Sequence, residues 1–492
     1  MLSNRIWRSA KARKCVTFWS LCLDRYDKLS MHDELGLHSG GIMKDFTQGS
    51  ITKQIVIFVI PMMIGSAFQQ LYSLADAIIV GRYIGGGSLA AVGISMTVSF
   101  FLVSLLIGLT TGASILLSQL YGAKDFDSMK RVISTSMIFL TILGVILTII
   151  GIIGTPLILR ALGAPYEIVG DARFYMRITM GGIIFTVFYN MYTAYLRALG
   201  ETKRPLYILI FASLLNIGLN YLFVPILNFG IIGAASGTVI TQGVAALLCY
   251  IYVRRKVPQL RVERMSFDRT LFIAILKYGL PAAFQLSIVA LSALIITRLI
   301  NTFGTAAIAG ITAVQRIDQL AIIPIFTLSM GLSIFVGQNM GAGKEERCKK
   351  GLRVVMLQAL GVSVVISGTV FVFGRSLISL FIYQNDKYIY EILDIGHNYL
   401  RIMVLFYFLF AILFTYNGFF KGVGDAMIAL IFPVLSLTIR TISAYVLVYV
   451  FGMGPEALAW SIPLGWIVAC ILSVVYYKKR LWVGKMAIKR IM

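Results

Sequence analysis

Long stretches free of Asp, Glu, Lys and Arg alternate with short charged segments along the chain. The uncharged runs are 54–75, 83–123, 132–159, 178–196, 206–253, 278–297, 319–343, 354–374, 402–420, 426–439, 441–455 and 457–477. The run 206–253 is too long for one bilayer crossing and divides at Pro225 and Asn228-Phe229-Gly230. The two short runs flanking Arg440 join into one. The pattern predicts twelve helices, near 54–81, 90–120, 131–153, 172–196, 206–226, 231–253, 271–299, 309–340, 351–373, 395–420, 427–450 and 456–477. Each exceeds the roughly 20 residues that span a hydrocarbon core. The expected fold class is an all-α polytopic membrane protein.

Composition narrows the reading. Of 492 residues, 58% are hydrophobic and 13% charged, against about a quarter charged in soluble domains, which excludes disorder, a collagen-like fibre and an ordinary cytosolic enzyme. The net charge of +23 would suggest nucleic acid in a soluble protein. Here the basic residues sort by loop: one side holds 26 Lys and Arg, the other 7. That asymmetry places both termini in the cytoplasm of a cell-membrane protein, with no nucleic-acid partner. Five scattered cysteines, three histidines without HExxH spacing and no GxxxxGK[ST] motif leave no catalytic residue, metal site, cofactor or ATP-driven engine to assign.

An internal repeat organises the chain. GASILLSQLYGA (112–123) and GLSIFVGQNMGA (331–342) both fit G-x-S-I-x-x-x-Q-x-x-G-A at matching ends of helices 2 and 8. Tyr195-Leu-Arg197-Ala-Leu-Gly200-Glu201 matches Phe419-Phe-Lys421-Gly-Val-Gly424-Asp425, and Pro61 matches Pro281. The offsets cluster near 220 residues, the length of six helices with loops. Two six-helix bundles related by a pseudo-twofold along the membrane normal follow, because six is even and both halves enter from one side. The expected layout is a 44–254 lobe, a 255–270 linker, a 271–478 lobe and a basic tail at 479–492. Residues 1–43 read as a disordered extension or a start assigned too early. Arg5, Arg8, Lys11, Arg13 and Lys14 precede a short apolar run there, but no cleavage site follows.

Only two acids fall clearly inside spans, Asp76 and Asp318, each costing about 2.5–3.5 kcal/mol if left unpaired. Gln69, Tyr72, Ser73 and Asp76 share one face of helix 1. Asn216 and Asn220 share a face of helix 5, and Thr238 lies at the same depth on helix 6. Such a set of oxygens suits a proton or Na⁺. The alternative is an interfacial carboxylate, with the amides and hydroxyl joining helices. Gln315, Asp318 and Gln319 share a face of helix 8, and either Arg316 or Arg440 is a natural partner for Asp318. Pro61 with Gly65 offers a hinge in helix 1.

MKDFTQGSITKQIVIFVIP, LYSLADAIIVGRYIG, YLRALGETKRP, NIGLNYLFVP with GIIGAASGT, and RIDQLAIIP…VGQNMGAGK together resemble the multidrug and toxic compound extrusion (MATE) transporters over about residues 43–480. The resemblance implies two lobes in a V and antiport of H⁺ or Na⁺ against amphipathic, often cationic, drugs. It makes Asp76 the residue that binds the coupling ion, with Asn216 and Thr238 as polar partners. Asn220 departs from the Asp that many relatives carry there, which favours H⁺ over Na⁺. Helix 7 offers Gln285 where another branch has a carboxylate, so the resemblance is to the branch without carboxylates in the C-terminal lobe. Gln69, Tyr72, Gln285, Arg316, Asp318 and Arg440 are the substrate-cavity candidates. The expected function is monomeric multidrug efflux across the lipid bilayer; the rival is a flippase of a lipid-linked precursor.

Overall fold

The computed structural model describes residues 45–163, 165–382 and 388–488. The expected extension at 1–43 and residues 489–492 of the tail lie outside the described residues. Everything that follows concerns the compact unit Lys44–Met492.

The described residues form helices joined by short turns. In the first half these are α1 (Ile51–Tyr83), α2 (Gly86–Ala123), α3 (Phe126–Ala161), α4 (Tyr166–Gly181), α5 (Ile183–Ala198), α6 (Lys203–Tyr221) and α7 (Gly230–Lys256). In the second they are α8 (Arg269–Ile300), α9 (Gly304–Ala321), α10 (Ile323–Gly341), α11 (Glu345–Ser379), α12 (Ile389–Leu405), α13 (Tyr407–Val423), α14 (Ala426–Tyr449) and α15 (Glu456–Lys478). Three crossings are each built from two helices, broken at Gly182, Ile322 and Phe406, the last with a 50° bend.

Length and apolarity alone pick out nine candidate spans, or ten with the bent pair. One of these, Arg269–Gly341, is a 73-residue stretch long enough for two crossings. The remaining crossing, Tyr166–Ala198, is interrupted at Gly182 and carries Glu167, Asp171, Arg173 and Arg177 in its first turns. The total is the expected twelve. Several helices run past the expected ends; α3 spans Phe126–Ala161 rather than 131–153. The helix continues through Asp127 and Arg160, which the uncharged-run criterion cut off. The fifth crossing instead loosens into a π-turn at Leu222–Ile226, where Pro225 removes a backbone donor.

The packing repeats with the sequence. α1 lies on α6 as α8 lies on α14, α2 on α5 as α10 on α13, and α4 on α7 as α12 on α15. Two lobes, α1–α7 and α8–α15, therefore share one architecture. They meet where α2 packs against α8 and α10, and where α1 packs against α10. Every chain end that is described lies on one face, here the terminal face.

Candidate functional site

The first lobe gathers the residues expected around Asp76. Asp76 is 3% exposed. Asn220 Nδ2 donates to Asp76 Oδ1 and lies 3.2 Å from Asn216 Oδ1. Asn216 Nδ2 reaches Thr238 Oγ1 at 3.5 Å, and that hydroxyl donates to the Ala234 carbonyl at 3.1 Å. One relay thus ties α1, α6 and α7 together. The i, i+4 spacing of the two asparagines stacks their amides on one stripe of α6. Gly237 makes room for it: a Cβ there would collide with Asn220 Oδ1. That oxygen is buried and receives no hydrogen bond.

Two tyrosines frame the relay. Tyr72 is within electrostatic range of Asp76, and the buried Tyr175 of α4 approaches Thr238. Tyr175 escaped the sequence reading because nothing distinguishes it from the other 23 tyrosines. Among the described residues no Lys or Arg acts on Asp76. Gln69 is exposed and outside the relay. Pro61 is buried within a continuous α1, and Gly65 lets α1 approach Leu206 and Leu209 of α6.

The second lobe treats its carboxylate differently. Tyr407 donates its hydroxyl to Asp318 Oδ1 at 2.8 Å. Arg440 acts on Asp318 at longer range and bonds the buried Tyr399. Of the two expected partners, Arg440 acts on Asp318 but not in a contact pair: among the described residues no Lys or Arg nitrogen lies within 4.0 Å of the Asp318 carboxylate, where the Tyr407 hydroxyl takes the short contact. Tyr399, Tyr407 and Ile317 belong to the apolar core of α9, α12, α14 and α15, so Asp318 and Arg440 sit within the lobe. Arg316 points away and is exposed; Gln285 is buried on α8.

Between the lobes, the repeated glutamine motif finds its purpose. Gln119 Nε2 donates to the carbonyls of Gly422 and Val423, at 2.9 and 3.0 Å, at the end of α13 in the opposite lobe. Its mate Gln338 donates to the Ala198 carbonyl, 2.9 Å away at the end of α5. Each glutamine oxygen accepts from a terminal segment: Gln119 from Ile488 N at 3.2 Å, Gln338 from Phe46 N at 3.0 Å. A Cβ at Gly122 would collide with the Gln338 carbonyl, and one at Gly341 with the Gln119 carbonyl. Asn339, Lys344 and Arg347 grip Phe46, Thr47, Gln48 and Gly49 through their carbonyls. The terminal face is therefore closed by a reciprocal clasp. Beside it, α1 parts from α10 and α11 to leave an apolar groove of about 480 Å³ lined by Val56, Ile60, Met63, Pro324 and Val365.

This architecture has known counterparts. The MatE family model matches residues 61–222 and again 281–446, starting at Pro61 and at Pro281, the two prolines paired by the repeat. The chain belongs to the MatE family. It is 31% identical over 446 residues to the probable multidrug resistance protein YpnP of Bacillus subtilis, covering 89% of this chain and 97% of that protein. It is 28% identical over 451 residues to the multidrug export protein MepA of Staphylococcus haemolyticus, with the same shares. A MOP superfamily transporter from Pyrococcus furiosus superposes with a TM-score of 0.84 at 27% identity, over 90% of this chain and 98% of that one. An outward-facing multidrug resistance MATE family transporter superposes equally well, at 0.84 and 27%. The MatE chain is thus a multi-pass membrane transporter, not an enzyme, with the two-lobed twelve-helix fold. The flippase reading is not favoured, since its two arginines do not converge: Arg316 is exposed while Arg440 bonds Tyr399 inside the lobe.

Proposed function

We propose that this MatE transporter is a secondary multidrug efflux antiporter of the cell membrane. It exports amphipathic organic compounds, organic cations among them, in exchange for H⁺, and works as a monomer with both termini in the cytoplasm. The lobes are 44–254 and 271–478, joined by the linker 255–270, which Ser134 fastens to α3 through Ser266 at 2.6 and 2.8 Å; the tail is 479–492.

The observation that carries the reading is the buried Asp76 without a countercharge. An isolated carboxylate in a low-dielectric site is costly unless a cation joins it. The coupling ion supplies that cation. Asn220, Asn216 and Thr238 orient the carboxylate, and Gln69 and Tyr72 continue its stripe toward the cleft. Proton binding cancels the charge that Asn220 holds, releasing α1 from α6. Pro61 and Gly65 supply the flexible point, and the movement of α1 against α10 shrinks the cleft and expels the substrate. Opening the clasp of Gln119 and Gln338 admits the next substrate from the cytoplasm. A lone carboxylate suits a proton, which needs one base; Na⁺ takes several hard oxygens.

The test is efflux of a fluorescent organic cation from proteoliposomes under a pH gradient or a Na⁺ gradient, for wild type and Asp76→Asn. Transport driven by the pH gradient and lost in the variant is expected. Transport driven only by Na⁺ would replace the ion, and undiminished transport by Asp76→Asn would sink the coupling role.

A further inference from the structure

Two cations have no part in the coupling site or the clasp. Arg197 and Lys421 are mates in the second repeated motif. Each lies in the last turn of its helix, α5 or α13. Each precedes a carbonyl held by a clasp glutamine, Ala198 by Gln338 and Gly422 by Gln119. Helical spacing would pair each cation with the acid four residues on, Glu201 or Asp425. The backbone prevents it. Gly200 and Gly424 adopt φ of +84° and +100°, which ends both helices before the acids. Both acids are also engaged elsewhere. Glu201 accepts the backbone N–H groups of Lys203 and Arg204 at 2.8 and 3.1 Å, and Asp425 accepts the Tyr476 hydroxyl at 2.5 Å. Among the described residues the titratable groups that act on Arg197 are Tyr189 and Cys249, and none acts on Lys421.

The placement is toward the other lobe. Arg197 Nε donates to the Thr193 carbonyl at 3.2 Å, and Nη1 reaches Met330 Sδ across the boundary at 3.6 Å. Met330 lies eight residues, about 12 Å, along α10 from Gln338, so the guanidinium stands inward of the clasp. The repeat pairs Met330 with Thr111 of α2, so by the repeat Lys421 is expected on the α2 side of the boundary. Both side chains are half-buried: deep among helices, yet still reached by solvent. A helix carbonyl end eases the burial of a cation. It leaves most of their N–H donors without an acceptor, and Lys421 makes no hydrogen bond or ion pair with any described residue.

We propose that Arg197 and Lys421 form an oxyanion-binding site at the boundary between the lobes, inward of the clasp. It recognises the carboxylate or phosphate of an amphiphile whose other end is apolar or cationic. The inference deepens the transport reading and rests on it for the fate of the bound molecule, but not for binding itself. The experiment therefore measures binding alone, to the full chain in nanodiscs of zwitterionic lipid, by fluorescence anisotropy. The probes are a rhodamine with a free carboxylate and its ethyl ester.

Wild type is expected to bind the acid at least tenfold more tightly than the ester. Arg197→Gln and Lys421→Gln should each cut that preference about tenfold without changing ester affinity, while Arg197→Lys and Lys421→Arg keep most of it. Equal loss for acid and ester would assign the cations a packing role and overturn the proposal. So would a wild-type preference near one, which needs no variant to fold. Anionic phospholipid added to the nanodisc separates the two sources. Competition with the acid in wild type, but not in Arg197→Gln, identifies the occupant as a lipid phosphate. Unchanged acid binding identifies it as a soluble amphiphile.

Discussion

The two lobes share a fold but handle a carboxylate set among their helices in opposite ways. Asp318 is answered from within its own lobe, by the Tyr407 hydroxyl at 2.8 Å and by the field of Arg440. Asp76 receives an amide from Asn220 and, among the described residues, no positive charge. A carboxylate whose charge is already balanced has little use for a mobile cation. One held by neutral dipoles alone is open to one. Architecture repeats between the halves; charge balance does not, and on the proposed mechanism the half with the unbalanced carboxylate is the one that takes the ion.

The sharpest way to break this contrast is to neutralise each acid in turn. Asp76→Asn should lower gradient-driven efflux at least tenfold, read in proteoliposomes. Asp318→Asn should retain more than half of wild-type efflux. Equal losses would erase the distinction between the lobes.

The next effect concerns the boundary between them. Gly341→Ala and Gly122→Ala push a methyl group into a carbonyl of the opposite lobe. Overpacking of this kind costs about 1–3 kcal/mol, enough to shift a two-state balance by roughly 5–150-fold. Spin labels on the α2–α3 and α10–α11 turns should move apart on the terminal face; an unaltered distance distribution would mean that the clasp does not hold the closed state.

Much of this was legible in the sequence. Runs without charge longer than a bilayer crossing leave no other fold, and the register of Asp76, Asn216, Asn220 and Thr238 sets them at one depth. The glutamine motif was visible, but its purpose was not. Its partners lie some 140 and 300 residues away, and contact through glycine at carbonyl distance leaves no periodic signal. The tyrosines around Asp318 were missed for a related reason. A helical wheel ranks charges readily, but cannot tell Tyr399 and Tyr407 from tyrosines that face lipid.

Smaller effects sharpen the comparison. Tyr407→Phe leaves Asp318 short of a buried donor, a loss of about 1–3 kcal/mol, and should lower the thermal unfolding midpoint while efflux under a pH gradient persists. A midpoint equal to wild type would contradict the structural role given to the second lobe's carboxylate.

The smallest expected change is at the terminal face. Asp125 caps α3 through Ser128 N at 3.0 Å, and its hydrogen bonds to Ser128 hold its carboxyl below the usual range. A lowered folded value means the contribution is present above the ordinary carboxylate range and fades as pH falls through the lowered value. Asp125→Ala should therefore cost about 0.5–1 kcal/mol at neutral pH. The gap between variant and wild-type melting curves should close in acid, and a gap independent of pH would remove the charge from the account.

The clasp also bears on ancestry. Gln119 and Gly122 in one half, Gln338 and Gly341 in the other, each act as both plug and socket. A surface that is its own complement is isologous, the kind that joins two copies of one subunit about a true twofold. A half-length ancestor bearing this motif would thus close upon itself as a homodimer before any fusion. Two such copies joined through a linker would keep the self-complementary seam while their interiors became free to diverge, one toward a balanced charge and the other toward a bare one.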